Sequence, residues 1–247
     1  MKTLKWQVMF AAVLIFLSAL LYGFHYVLFH DAHHIFIYMV GDIAFVPIEV
    51  LLVTLILHRL LEIREKRALL NKLNMVIGAF FSELGVDLLK ITSACDVNLE
   101  NLADELLVSG RWNAEQFSAA RHAVASYEPS LDMSPESLVA LRDRLVARRA
   151  FLLRLLENPN LLEHEAFTDL LWAVFHLMEE LDSRDDIGSL PQTDRRHLAG
   201  DVERVYRRLV FQWLAYMEHL GSSYPYLFSL ALRTNPFDTD RTVEVQE

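Results

Sequence analysis

Cysteine is nearly absent: Cys95 is the only one in 247 residues, so no intrachain disulfide can form, as suits a chain living in a reducing compartment. Glycine is scarce as well, with 8 in the whole chain, and no segment sustains the period-two alternation of a half-buried strand. These two shortages argue against a β-rich or phosphate-cradling α/β domain and for an all-α protein. Excess positive charge is missing too. The net charge of −10 leaves no broad basic face, and no nucleic-acid partner is expected. Catalytic signatures do not occur: there is no H-E-x-x-H, no Walker loop and no G-x-S-x-G, and Cys95 has no distinctive local signature. No catalytic residue and no cofactor is therefore expected, and the chain reads as a non-enzyme rather than an enzyme.

The most telling absence is of Lys and Arg from two long apolar runs, Val8 to Phe29 and Ile35 to Leu57. Each is long enough to cross a bilayer. The first is longer than the apolar core of a signal peptide and lacks a convincing small-residue cleavage site after it, so it reads as an uncleaved span. Together the runs form a transmembrane hairpin within residues 1–58. The connecting loop, His30 to His34, has no Lys or Arg, whereas Arg59, Arg64, Lys66, Arg67 and Lys72 follow the second run. By the positive-inside rule this places both termini in the cytoplasm, on the cytoplasmic membrane. Lys2, Lys5 and Trp6 before the first run, with Arg59, Arg64, Lys66 and Arg67 behind the second, read as contacts to lipid headgroups. Glu62 and Lys66 are ordered for an i, i+4 pair.

Two carboxylates, Asp42 and Glu49, lie inside the second run. An acid at hydrocarbon depth is costly, which makes this pair the best functional lead in the chain. Seven apart on a helix, they share one face at about 10 Å along the axis, and Tyr38 extends that face by one turn. On the first run Ser18, Tyr22 and His25 are spaced four and three and share a face of their own. Counting back from a turn near Asp31 and Ala32 sets Tyr22 level with Asp42, and Ser18 between Asp42 and Glu49. The hairpin thus brings the two polar stripes together, with Ser18, Tyr22 or His25 placed to hydrogen-bond the acids. Pro47 lies between the acids and is expected to kink the helix and free a backbone carbonyl. Two acids facing lipid would be unfavourable, so homo-oligomerisation is expected.

Beyond His58 the helical pattern continues through Leu69, Leu73, Val76, Phe80, Leu84 and Leu88, with a break expected near Gly85. Residues 59–92 read as a helical extension next to the membrane, 93–233 as a cytoplasmic helical bundle and 234–247 as a disordered acidic tail. Within the bundle the punctuation predicts a short helix capped by Asn98, one from the Asn113/Gln116 capping box to about Ser126, and one from Ser134 and Pro135 to about Glu157. A further helix opens at Asn160 and ends near Asp182, and the last runs from Thr193 to Gly221.

Other constellations are weaker. His30, His33 and His34 supply enough imidazole for a transition metal if several copies converge, although no pair shows structural-zinc spacing. Glu165, Asp169, His176 and Glu180 fall roughly on one side of a helix; H-x-x-x-E at His176 occurs in hemerythrin-like iron sites, yet a di-iron bundle wants Glu-x-x-His from two helices and none occurs. A solvated helix face is the ordinary reading. Arg195, Arg196, Arg204, Arg207 and Arg208 are expected to pair with neighbouring Asp194, Asp201 and Glu203.

The strings GDIAFVPIEVLLVTLILHRLLE from Gly41, KLNMVIGAFFSELG from Lys72 and YPYLFSLALRTNPF from Tyr224 resemble segments of an uncharacterised family of prokaryotic two-span membrane proteins. The resemblance implies membrane residence and says nothing about activity. The expectation is therefore an all-α, homo-oligomeric module whose partners are the lipid bilayer and copies of itself, with room for a cytoplasmic protein partner. It passes or senses protons or cations, or couples the membrane to that partner. The alternatives are a structural anchor and a metal-dependent helical enzyme.

Overall fold

A computed structural model describes residues 2–238 and 242–244. Among them no strand occurs, and the chain divides into two compact units, residues 1–66 and 67–247. The stretch read as a separate extension, 59–92, is thereby shared between them. In the first unit α1 (Lys2–Phe29) and α2 (Ala32–Phe80) are joined by two residues. His30 ends α1 in the left-handed region, with φ of 52°, and its amide donates to the Tyr26 carbonyl. Asp31 then accepts the His34 amide at 3.0 Å, an N-cap that starts α2 at once. That amide holds the Asp31 carboxyl below its ordinary range. His33 and His34, read as loop residues, therefore sit in the first turn of α2. The segments Trp6–Phe29 and Ala32–Lys66 are long and apolar enough to cross a membrane, and no residue of their most apolar windows is buried within the chain.

The second unit begins with the last turns of α2, whose Leu73, Ile77 and Phe80 are buried. A π-helical turn, Phe81–Gly85, follows and leads into α3 (Val86–Ser93). It lies at the break expected from Gly85. A Cβ there would fall 2.6 Å from the Phe81 ring and 2.9 Å from the Phe80 ring, so only glycine lets both rings pack. α4 (Ala103–Leu106), α5 (Ala114–Ser126), α6 (Pro135–Ala147) and α7 (Arg149–Leu156) wrap a central pair, α8 (Glu165–Asp182) and α9 (Gln192–Ser223), with α10 (Pro225–Arg233) last. The capping box forms as its sequence predicts, Asn113 and Gln116 exchanging bonds at 2.9 and 3.0 Å, and Ser134 caps α6. The helix expected to reach Glu157 instead breaks at Arg148. α8 opens at Glu165, its cap supplied by His164 Nδ1 rather than by Asn160, and α9 runs on past Gly221, whose neighbour is the Phe228 ring.

The core is apolar except at a few polar side chains, among them Thr92, Asp96, Asp201 and Asn235. Phe80 meets Phe81 and Phe167 edge to face, within the same core as buried Leu170, Val174, Leu209 and Trp213. Asp96 is 8% exposed, and its carboxylate accepts from the Tyr127 hydroxyl at 2.6 Å and from the amides of Asn98 and Ser130. This single side chain ties the turn after α3 to the loop before α6, where Asp96 and Leu131 form an isolated β-bridge. Burial, with Asp96 beside them, raises both the Tyr127 and the Tyr206 hydroxyl above the ordinary tyrosine range. The chain remains docked beyond residue 234. Asn235 donates to the Leu106 carbonyl and Phe237 packs on Trp213, so the first residues of the stretch expected to be disordered are held against the domain. Residues 239–241 and 245–247 of that tail lie outside the described residues.

Candidate functional site

The two-residue turn fixes the register of α1 against α2, and register decides which side chains meet. Ser18, Tyr22 and His25 from α1 face Tyr38 and Asp42 from α2 across one cavity of about 490 Å³. These are five of the six residues read as an intramembrane polar site. The sixth, Glu49, is exposed and lies outside that lining. It sits two turns beyond Asp42, where the α1 stretch around Leu14, Ala11 to Leu17, carries only apolar side chains. α2 stays helical through Pro47, whose missing amide leaves the Ile43 carbonyl without its helical donor.

His34 joins the lining as well. Its ring stacks on His25 with centroids 6.0 Å apart and tilts against Tyr38 at 4.6 Å. A loop over His30 to His34 leaves His34 off this face; its spacing of four from Tyr38 and eight from Asp42, which on a helix is one face, is the signal that puts it there. His25 is the least exposed of these polar groups, and its Nδ1 is buried without a hydrogen-bond partner. Among the described residues Asp42 and Glu49 have no hydrogen-bond or ion-pair partner. The expected bonds from Ser18, Tyr22 or His25 to the acids are thus replaced by a shared cavity.

The outer histidines do not converge. His30 packs on Tyr26, His33 faces Phe36, Ile37 and Val40, and His34 turns into the cavity. Within one chain they offer no metal cluster. At the other end of the hairpin Arg59, Arg64 and Lys66 are exposed. Glu62 pairs with His58 at 3.2 Å and with Arg59 at 3.6 Å rather than with Lys66. Exposed Trp6 stacks on Phe10 at 5.6 Å. The side chains of Lys2, Lys5 and Arg67 lie outside the described residues.

Chemically, the cavity offers two imidazoles, two phenols, a hydroxyl and one carboxylate, with no Lys or Arg. Such a set exchanges protons or holds a small cation; it lacks the paired nucleophile and base of a hydrolytic site.

Comparison with known proteins extends over the whole chain. The family described as MJ1433, N-terminal helical domain, matches residues 2–61, and that described as uncharacterized protein MJ1433, C-terminal helical domain, matches residues 69–233. The gap between them brackets the division at Lys66. The uncharacterized protein MJ1433 of Methanocaldococcus jannaschii is 45% identical over 247 residues, covering 100% of this chain and 99% of the relative. No solved structure matches. The chain thus belongs to the MJ1433 family, proteins built from an N-terminal and a C-terminal helical domain.

Proposed function

We propose that the protein is an integral membrane protein whose hairpin assembles with further copies of itself, and that Asp42 in its polar cavity passes or senses protons or cations. The observation that carries this reading is an acid-bearing cavity between two helices of spanning length. Asp42 at hydrocarbon depth needs shielding from lipid, and neighbouring copies closing over the cavity supply it. His34 and His25 lead from the turn toward Asp42, and imidazole takes up and releases protons on either nitrogen. Arg59, Arg64 and Lys66 orient the hairpin with both ends in the cytoplasm. The helical domain then faces the cytoplasm, where it is available to a protein partner.

Proton flux into liposomes reconstituted with the purified chain tests this. Asp42→Asn abolishes flux and leaves the assembly mass unchanged, whereas Glu49→Gln, outside the cavity, reduces flux less. If the parent protein carries no flux, or Asp42→Asn carries as much as the parent, conduction fails and a structural anchor is the reading left.

A further inference from the structure

The helical domain holds a polar cluster of a different kind, in which α8 and α9 present the same pattern to each other. His176 and Glu180 stand four apart on α8, and His197 and Asp201 stand four apart on α9, so each pair occupies one helix face. Their functional atoms meet. His197 Nε2 lies 3.4 Å from Asp201 Oδ2 and 3.6 Å from Glu180 Oε2. His176 Nε2 lies 3.7 Å from Asp201 Oδ2 and 3.9 Å from Glu180 Oε1. Ligand atoms of Glu180, His197 and Asp201 are all within 4.8 Å of one another. Asp201 is only 3% exposed, yet its Oδ2 has no hydrogen-bond partner. A sealed carboxylate oxygen aimed at two imidazole nitrogens and bonded to neither calls for a physical reason.

The spacing supplies one. Separations of 3.4 to 3.9 Å exceed those of N–H···O hydrogen bonds, which centre near about 2.9–3.0 Å. Three of them, 3.4, 3.6 and 3.7 Å about Asp201 Oδ2 and Glu180 Oε2, approach the edges of a ligand tetrahedron, in which metal–ligand bonds of about 2.0–2.2 Å, as for zinc, set neighbouring ligands about 3.3–3.6 Å apart; His176 reaches Glu180 through its other oxygen. Outer partners already orient both acids. Arg204 donates to Asp201 Oδ1 at 2.8 Å, leaving Oδ2 free. Arg184 donates to Glu180 Oε2 at 2.9 Å while its other nitrogens grip Asp194. Both imidazoles are about half exposed, which gives an ion a route from solvent.

We infer that His176, Glu180, His197 and Asp201 form a binding site for a divalent transition-metal cation of the zinc type, clamped between α8 and α9. Two imidazoles with two carboxylates suit such an ion better than calcium or magnesium, which prefer oxygen alone. The ion neutralises the two acids that meet there and fastens the two central helices of the domain.

Calorimetric titration of the purified 247-residue chain with zinc chloride, in detergent at neutral pH, decides the matter. One zinc per chain is expected, and Asp201→Asn and His197→Gln each weaken it by more than about tenfold, the scale of loss seen when a metal site is disturbed. A chain carrying both His33→Ala and His34→Ala binds like the parent, which separates this site from the outer histidines. His197 is half exposed, so His197→Gln keeps the fold, verified by circular dichroism, and decides the question should Asp201→Asn not fold. Cobalt in place of zinc gives a visible absorption band that His197→Gln removes. The absence of stoichiometric zinc binding, its survival in the His176→Gln/His197→Gln chain, or its loss with the outer histidines overturns the assignment.

Discussion

Phenylalanine and aspartate occur in both units of the chain, and the two units treat them in opposite ways. In the helical domain Phe80, Phe81 and Phe167 are no more than 1% exposed, and buried Asp96 accepts from a phenol and two amides. In the hairpin Phe16 and Phe29 are 70% and 65% exposed, and Asp42 has no partner among the described residues. The helical domain buries these rings and partners this acid from its own chain; the hairpin does neither. An apolar surface that extends over most of two helices is not stable in water on its own. Bilayer and neighbouring copies, in the function proposed above, are the medium that completes it.

The sharpest way to break this comparison is to remove one phenyl ring from each unit and follow urea unfolding of the helical domain through buried Trp213. Phe167→Ala, at 0% exposure, costs about 4 kcal/mol through lost burial and the cavity left behind. Phe45→Ala, at 53% exposure, leaves the same transition within about 0.5 kcal/mol. Equal losses would show that the two units unfold together and that the contrast is false.

A carboxylate from each unit gives the next largest effect. Asp96→Ala strips three donors of their acceptor and destabilises the domain by about 3 kcal/mol, while Asp42→Asn leaves the same midpoint where it was. A smaller effect sharpens the picture inside the domain. His219 pairs its Nδ1 with the Asn74 side chain at 3.1 Å, and burial lowers its pKa. The folded state therefore resists protonation that the unfolded chain accepts, so stability is full above the ordinary histidine pKa of about 6.5 and declines as pH falls below it. In His219→Gln that acid-side decline is shallower; an unchanged pH profile would remove His219 from the account.

What was legible in the sequence was local. The capping box at Asn113 and the cap at Ser134 need only three or four residues to be recognised, and they form where expected. The hairpin face was legible for the same reason, since a two-residue turn leaves helical arithmetic to pair Ser18, Tyr22 and His25 with Tyr38 and Asp42. Glu49 obeys that arithmetic on its own helix and still misses the cavity, because α1 places no polar side chain opposite. Other features depend on contacts that spacing does not encode. Asp96 gains its partners from Tyr127 and Ser130, more than thirty residues away. His176 and Glu180 read as a solvated face until α9 brings His197 and Asp201 against them. The docking of Asn235 and Phe237 is likewise invisible in a polar, acidic stretch, because one amide and one ring suffice to hold it.

The wide turn at Phe81–Gly85 has a consequence for numbering and phase. In an ordinary helix consecutive side chains diverge by about 100°, so two adjacent rings seldom enter the same core. Here Phe80 and Phe81 both do, because the π turn accommodates an extra residue in the backbone spiral. Removing one residue such as Ser82 lets the wide turn tighten into an ordinary α-helical one, which withdraws one of the two rings from the core and leaves α3 in phase. Leu88 and Leu89 then keep the neighbours that enclose them, so a change of one residue is absorbed within this short stretch.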